Sequence, residues 1–162
     1  MNKTAAKFLS GGAVALAALA GRSAAPEHPR EAIWYARLEK PSYTPSGKVI
    51  GGAWTGLDIL LAVSGARLLA APPGRERRVA LLFWALNLAG VAGYPWVFFK
   101  RKNLAASALV VTGMLASARA SVTTAGKVDG AAGLAGMPLV VWLAFAGLLS
   151  EEIWRRNSGD GI

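Results

Sequence analysis

Four long apolar runs constrain this 162-residue chain more than any other feature. The hydrocarbon core of a bilayer is about 30 Å thick, and a helix needs about 20 apolar residues to cross it. The runs cover residues 49–71, 79–99, 104–126 and 133–154. Charged residues make up 17% of the chain, against about 25% in typical soluble domains. The pattern therefore predicts an all-α integral membrane protein.

The connectors between the runs are short and carry turn or charge signals, in the sequences APPGRERR, KRKN and KVDG. Short connectors make consecutive helices antiparallel neighbours in a bundle. A shorter apolar run, about residues 5–25, comes first. Two early lysines and small residues near Ala24 also fit a cleaved secretory signal. The pattern alone leaves this run as either a signal peptide or a first membrane-spanning helix.

The charge and cysteine content exclude several classes of site. The formal net charge is +9, but the basic residues cluster in the connectors, as in residues 100–102. Charge placed beside apolar runs is typical of membrane flanks and not of a nucleic-acid-binding face. The chain contains no cysteine, which excludes disulfides, thiolate metal sites and cysteine nucleophiles.

Counting five spanning helices divides the basic connector residues between two sides. One side holds six: Lys3, Lys7, Arg75, Arg77, Arg78 and Lys127. The other side holds ten: Arg22, Arg30, Arg37, Lys40, Lys48, Lys100, Arg101, Lys102, Arg155 and Arg156. Because cytoplasmic loops carry more Lys and Arg, this count predicts a cytoplasmic C-terminus and an N-terminus outside.

Two segments carry a family resemblance. The stretch WYARLEKPSYTPSGKVIGGAWTGL, residues 34–57, resembles the first loop and second helix of the TspO/MBR family, which includes tryptophan-rich sensory proteins and the mitochondrial translocator protein. The stretch MPLVVWLAFAGLLSEEIWRRN, residues 137–157, resembles the last helix of that family. The matched positions are Trp34, Tyr35, Leu38, Lys40, Pro41, Pro45, Trp54, Thr55, Leu57, Pro138, Trp142, Phe145, Ala146, Leu149, Trp154, Arg155 and Asn157.

The chain also departs from the family pattern. Ser46, Ile50 and Asp58 replace Pro, Phe and Tyr near the start of the second helix. In the third helix, Asn87 and the pair Phe98–Phe99 cannot both be aligned, and aligning Phe98–Phe99 puts Tyr94 where the family has Trp. The lid is therefore expected to be looser and the pocket more polar than in other members.

The resemblance implies one domain over residues 1–162, with five spanning helices at about 5–25, 49–71, 79–99, 104–126 and 133–154. Residues 26–48 would form a lid, stiffened by Pro41 and Pro45, over a cavity inside the bundle. The implied ligands are tetrapyrroles such as protoporphyrin and haem, or other flat apolar molecules. The expected ligand-binding residues are Tyr35, Pro45, Trp54, Asp58, Asn87, Tyr94, Trp142, Phe145 and Ala146. The small side chain of Ala146 would leave room for the ring system.

The resemblance further implies a homodimer in a lipid bilayer, with no required cofactor. The short polar ends and the absence of a transit-like extension favour a bacterial cell envelope over an organelle. Asp58 could instead pair with Arg67 or Arg119 inside the bundle, and His28 is expected to be solvated. No catalytic constellation is evident in the sequence, which favours ligand binding over catalysis. Two alternatives stay open: light-dependent porphyrin breakdown, and a structural membrane protein whose cavity has closed.

Overall fold

The computed structural model describes residues 1–25 and 29–159, and their regular structure is entirely helical. Six helices follow one another: α1 Lys3–Arg22, α2 Pro29–Arg37, α3 Gly47–Ala70, α4 Arg75–Pro95, α5 Leu104–Val128 and α6 Gly130–Arg156. A π-helical turn, Trp96–Lys100, continues α4. Within the described residues, α1, α3, α4 with its π turn, α5 and α6 are long and apolar enough to span a membrane. The predicted five-helix membrane fold is confirmed.

Polar caps set where three of the spanning helices begin. The Ser46 hydroxyl accepts a hydrogen bond from the backbone N–H of Val49, at the start of α3. The side chains of Asn103 and Asp129 cap α5 and α6 in the same way, at 2.9 Å. Because such caps satisfy free N–H groups, α3 begins at Gly47 and α6 at Gly130, earlier than the apolar runs predict.

The five spanning helices form a ring in the order α1, α3, α6, α5 and α4. Buried serines link neighbouring helices through backbone carbonyls. Ser10 donates to the carbonyl of Ala62 at 2.7 Å, and Ser64 donates to that of Ala132 at 2.9 Å. Although α3 and α4 are consecutive in the chain, they face each other across the ring. The indole N–H of Trp84 on α4 bridges them by donating to the carbonyl of Leu61 at 2.9 Å.

Two glycines allow close helix contacts that a side chain would block. A Cβ at Gly65 would meet the Trp84 ring and the Ser10 hydroxyl. A Cβ at Gly133 would lie 2.9 Å from the backbone of Gly126 on α5. Small residues at such contacts are typical of membrane bundles, where packing replaces the hydrophobic effect between helices.

Large apolar side chains cover the outside of the ring on every spanning helix. Leu109 on α5 is 75% exposed, and Phe8, Ile59, Leu82 and Val141 are also exposed on the other four helices. A soluble protein rarely shows apolar surface of this extent. The outer surface of the ring is therefore apolar enough to contact the hydrocarbon core of a bilayer.

The segment predicted as a loop between the first two spanning helices contains a helix of its own, α2. Residues 39–46 are non-helical, as Pro41 and Pro45 predict, and Thr44 turns back to hydrogen-bond the carbonyl of Pro41. We call residues 29–46 the lid. The end of the bundle that it covers, where α3 and α5 begin and α6 ends, is called the lid end.

Candidate ligand site at the lid end

Four aromatic residues form a connected cluster beneath the lid. The ring centroids of Trp54 on α3 and Trp142 on α6 are 6.4 Å apart, and those of Trp142 and Phe145 are 5.7 Å apart. Tyr43 of the lid meets Phe145 edge to face at 6.3 Å. We call these four residues the indole cluster. It joins the lid to two spanning helices and presents broad aromatic surface, which suits flat apolar ligands.

An apolar groove of about 800 Å³ runs between α3 and α6, and Trp142 and Phe145 lie in its wall. The rest of the wall includes Gly56, Leu60 and Met137. Volumes of about 300–1,000 Å³ are typical of small-molecule sites. Because Met137 and Gly56 are exposed, the groove opens to the outside of the bundle, where the lipid would be. An apolar molecule could therefore reach the indole cluster from the bilayer.

Tyr35 and Tyr94, which the sequence also predicts as ligand residues, belong to a second aromatic cluster centred on Phe98. Tyr94 stacks on Phe98 with centroids 5.8 Å apart, and Tyr35 meets the same ring edge to face at 6.1 Å. The Tyr94 hydroxyl lies 2.9 Å from that of Ser150. The structure thus places the predicted aromatic residues in two groups, one around Trp142 and one around Phe98.

The other predicted site residues lie near these two groups. Ala146 packs against the core one helical turn from Trp142. Pro45 is half-buried in the extended stretch just before α3. Asn87 is 1% exposed and sits in the core face of α4. His28, expected to be solvated, lies outside the described residues.

The lid is fastened to the bundle by polar contacts that the sequence motifs did not predict. The Asn157 side chain accepts a hydrogen bond from the Glu39 backbone N–H and donates one to the Glu39 carbonyl, both at 3.0 Å. Lys100 forms an ion pair with Glu31 of α2 at 3.0 Å. Asn157 belongs to the family motif and comes just after the last apolar run. This position was the one sequence signal that could have indicated its contact with the lid.

Lys40 stabilises the turn of the lid from within. Its Nζ donates to the carbonyls of Tyr35 at 2.7 Å and Leu38 at 2.8 Å, and lies 4.7 Å from the centroid of the Tyr35 ring. Burial lowers the pKa of Lys40 and raises the pKa of Tyr35. In each case the charged form is disfavoured. The hydrogen bonds of Lys40 Nζ to the two carbonyls hold the lid backbone in place.

Three buried polar atoms on three helices have no hydrogen-bond partner within residues 1–25 and 29–159: Oδ1 of Asp58, Oδ1 of Asn87 and Nε1 of Trp142. The Asn87 amide nitrogen does have one, the Phe83 carbonyl at 3.0 Å. A buried polar group without a partner is costly, the more so inside a membrane. The described residues therefore leave two acceptors and one donor without a hydrogen bond, and of the three residues only Trp142 lies in the wall of the groove.

The alternative pairing of Asp58 with Arg67 is wrong. Arg67 instead binds Asp129, with Nε 2.8 Å from Oδ1. Nine residues separate Asp58 from Arg67, which places them on opposite faces of a helix that turns about 100° per residue. Arg119 is exposed on α5 and forms no ion pair among the described residues.

The part of the chain that the structure describes contains no group of three or more His, Asp or Glu side chains that could hold a metal ion. The chemistry at the lid end is that of aromatic faces, apolar walls and a few unsatisfied hydrogen-bonding atoms. Such a site can bind and orient a flat molecule.

The chain is similar to known proteins over most of its length. The model of the TspO/MBR family matches residues 10–155. Protein CrtK of Rhodobacter capsulatus is 34% identical over 128 residues, covering 78% of this chain and 80% of that protein. The tryptophan-rich sensory protein of Cereibacter sphaeroides is 31% identical, with 76% and 77% coverage. The translocator protein of Bos taurus is 30% identical, with 76% and 75% coverage.

Proposed function

Since the chain belongs to the TspO/MBR family of membrane proteins, we propose that it binds a tetrapyrrole, such as protoporphyrin or haem, in sensing, regulation or transport. The observation that carries the proposal is the indole cluster beneath the lid, continuous with the apolar groove between α3 and α6. The names of two relatives, a sensory protein and a translocator protein, are consistent with a ligand-binding role.

The shape and charge of the lid end favour a flat apolar ring with acidic substituents. Tryptophan faces supply large contact area and stack on such rings. Ten of the eighteen Lys and Arg residues belong to the lid-end segments. Carboxylates on the edge of a tetrapyrrole would therefore meet positive charge at the mouth while the ring occupies the apolar part.

Asp58 is not in the wall of the groove, and it would give a preference within that class to a ligand that enters between Trp54 and Trp142. Its Oδ1 is buried and unpartnered, one helical turn from Trp54. A ligand N–H or O–H placed there would form the hydrogen bond that the protein itself leaves unmade. Ligands with a donor near the ring system are thus expected to bind more tightly than those without one.

Titration of the detergent-solubilised protein with protoporphyrin tests the proposal. We expect saturable quenching of tryptophan fluorescence and a shift of the porphyrin absorption band at micromolar concentration. Absence of both changes at that concentration would contradict the proposal.

A second candidate function is a structural membrane protein without a ligand. The observation in its favour is the direct contact of Trp54 with Trp142, because the two rings occupy the space between α3 and α6 that an internal ligand would need. Under this alternative, protoporphyrin produces no saturable change, and substitutions of Trp142 alter only the stability of the protein.

The chain is an integral membrane protein with bacterial relatives, and we propose that its lid end faces the cytoplasm in a bacterial membrane. The support is the excess of basic residues at that end, ten against six. Fusions of green fluorescent protein and alkaline phosphatase to the C-terminus test it. Fluorescence without phosphatase activity is expected, and the reverse result would invert the topology.

We also propose a homodimer, on the family resemblance. Gly113 and Ala116 are exposed on α5, and small residues let a second helix approach closely. Light scattering of the purified protein, corrected for detergent, should give twice the chain mass of 16.8 kDa; a monomeric mass would contradict this proposal.

A further inference from the structure

A second cavity at the lid end is separate from the indole cluster. It is a cleft of about 430 Å³ where α5 begins and α6 ends. We call it the α5 cleft. The wall residues that matter here are Trp34, Leu38, Arg101, Lys102, Leu104 and Trp154. The wall thus combines two cations, two indoles and aliphatic side chains.

The two cations of the α5 cleft have no acidic partner in the described part of the chain. Within residues 1–25 and 29–159, neither Arg101 nor Lys102 forms an ion pair. The neighbouring Lys100 differs, because it is bound to Glu31. Lys102 Nζ lies 5.6 Å from the centroid of the Trp34 ring, so its charge is held at the mouth of the cleft by a cation–π contact. Both positive charges therefore remain available to an anion.

The backbone around Lys102 is shaped to place these side chains together. Lys102 has a φ of 52°, the one positive value at a non-glycine residue in the described chain. This conformation is uncommon for a residue with a side chain. It turns the chain between the π turn that ends at Lys100 and the start of α5 at Leu104, and so brings Arg101 and Lys102 to the cleft.

The position of the cleft in the bundle favours a lipid headgroup phosphate as the anion. The π turn that continues α4 ends here, α5 begins here and α6 ends nearby, so this is the level at which spanning helices leave the bilayer. Trp34 and Trp154 mark the same level, since indoles concentrate at the membrane interface. A headgroup phosphate at this depth would meet Arg101 and Lys102, while the acyl chains would lie along Leu104 and Trp154.

We propose that the α5 cleft binds the phosphate group of an anionic phospholipid. Inorganic phosphate shares the anion chemistry but lacks the acyl chains that the apolar part of the wall would contact. Basic clusters beside spanning helices attract anionic lipids over zwitterionic ones. The lipid would also touch the lid directly through Trp34 and Leu38, so its binding is expected to stabilise the closed lid.

Native mass spectrometry of the delipidated protein in detergent tests the proposal. Phosphatidylglycerol and phosphatidylcholine with identical acyl chains are titrated separately, and phosphatidylglycerol is titrated again in the presence of inorganic phosphate. The double variant Arg101→Gln/Lys102→Gln removes both cleft charges. The matched control, Arg75→Gln/Lys127→Gln, removes one Arg and one Lys from the opposite end of the bundle.

We expect wild type to bind phosphatidylglycerol about tenfold more tightly than phosphatidylcholine. That preference should disappear in the cleft variant and persist in the control. Millimolar phosphate should weaken phosphatidylglycerol binding only partly; complete displacement would identify a free-phosphate site and overturn the lipid assignment. Equal loss of preference in both double variants would also overturn it, because general surface charge would then explain the binding.

A lipid carrying bromine on its acyl chains gives an independent readout. Brominated phosphatidylglycerol should quench wild-type tryptophan fluorescence more than brominated phosphatidylcholine does, and replacing Trp154 with Phe should reduce this difference. An unchanged difference in the Trp154→Phe variant would place the bound lipid elsewhere and overturn the assignment to the cleft.

Discussion

The indole of Trp54 meets that of Trp142 edge to face, with ring centroids 6.4 Å apart and ring planes at 80°. This contact joins α3 to α6 beneath the lid. Trp142 also lines the apolar groove between the same helices, and its Nε1 has no hydrogen-bond partner among the described residues. A ligand that enters between the two rings or stacks on them from the groove would therefore touch Trp142.

Replacing Trp142 with Leu should weaken protoporphyrin binding about tenfold. An aromatic contact adds about 0.5–1.5 kcal/mol beyond buried area, and 1.4 kcal/mol corresponds to a factor of ten in affinity. The measurement is the dissociation constant from the porphyrin absorption band, which does not depend on tryptophan fluorescence.

Trp96→Leu is the matched control for that substitution. Trp96 is 47% exposed on the outside of the π turn, and its indole donates to the carbonyl of Ala20 at 3.1 Å. Trp96 does not contact the indole cluster, so Trp96→Leu should change the dissociation constant of protoporphyrin by less than about a factor of two. Similar losses in both variants would argue against a site at Trp142.

Enlarging Ala146 to Phe should also weaken binding, while leaving the helical content unchanged. Ala146 lies one turn from Trp142 and packs against the core, so a benzyl group would occupy space beside the ring system. Overpacking costs about 1–3 kcal/mol, and the same space would be lost to the ligand. Circular dichroism and the porphyrin titration separate the two effects. Ala89→Phe, at an exposed position of α4, should change neither.

Asp58→Leu should stabilise the ligand-free protein and weaken binding of ligands that carry a hydrogen-bond donor. The buried Oδ1 of Asp58 lacks a partner, and removing such a group recovers about 1–3 kcal/mol of desolvation free energy. Thermal unfolding in detergent should therefore occur at a higher temperature. A lower unfolding temperature with unchanged affinity would show that Asp58 serves the fold instead. Thr55→Leu, at an exposed position three residues earlier on α3, is the control.

Four of the five spanning helices could be predicted from the apolar runs, because bilayer thickness fixes the length of an apolar helix. The first helix was implied only by the family resemblance. The sequence could also have predicted that α3 and α6 begin before their apolar runs, since Ser46 and Asp129 are typical N-cap residues. Helix α2 was not predicted. Its nine residues are too few to span a bilayer, and it is held by contacts of Trp34 and Tyr35 with Phe98, which is distant in sequence.

The candidate site was less predictable than the fold. Sequence motifs named Trp54 and Trp142 but could not give their edge-to-face contact, which depends on how α3 packs on α6. The prediction that Arg67 could pair with Asp58 was wrong for a similar reason, because the pairing depends on how helices pack. Asp129 is 62 residues away in sequence and becomes its neighbour only when α3 and α6 lie side by side.

Asn157→Ala should loosen the lid and expose it to protease. The Asn157 side chain makes two hydrogen bonds to the backbone of Glu39, and each such bond contributes about 0.5–1.5 kcal/mol. A loss of this size raises the open population about tenfold, which a protease detects as faster cleavage when opening is rapid. Trypsin cleavage after the exposed Arg37, followed by mass spectrometry, measures it.

The control for the lid variant is the neighbouring Ser158→Ala. The Ser158 hydroxyl bonds within its own helix end, to the carbonyl of Trp154, and does not reach the lid. Its removal should leave cleavage after Arg37 unchanged. Equal cleavage of wild type and Asn157→Ala would show that the ion pair of Lys100 with Glu31 and the aromatic contacts are enough to hold the lid closed.

Gly133→Ala should destabilise the bundle, because the backbone of α6 at Gly133 lies close to the backbone of α5. The new Cβ would be 2.9 Å from the Cα and N atoms of Gly126 and 3.1 Å from the Val122 carbonyl oxygen. Backbone atoms cannot move aside as a side chain can, so α5 and α6 must separate, at a cost of about 1–3 kcal/mol. Thermal unfolding should shift down by several degrees.

Gly12→Ala provides the comparison that separates packing from helix propensity. Nothing lies within 4 Å of a Cβ at Gly12, on the exposed face of α1. Alanine is favoured over glycine in a helix by about 1 kcal/mol, so this variant should be as stable as wild type or more so. The same propensity gain applies to Gly133→Ala, and a fall in its unfolding temperature would therefore measure the steric cost in excess of that gain. A rise at both positions would mean that α5 and α6 are not in close backbone contact at Gly133.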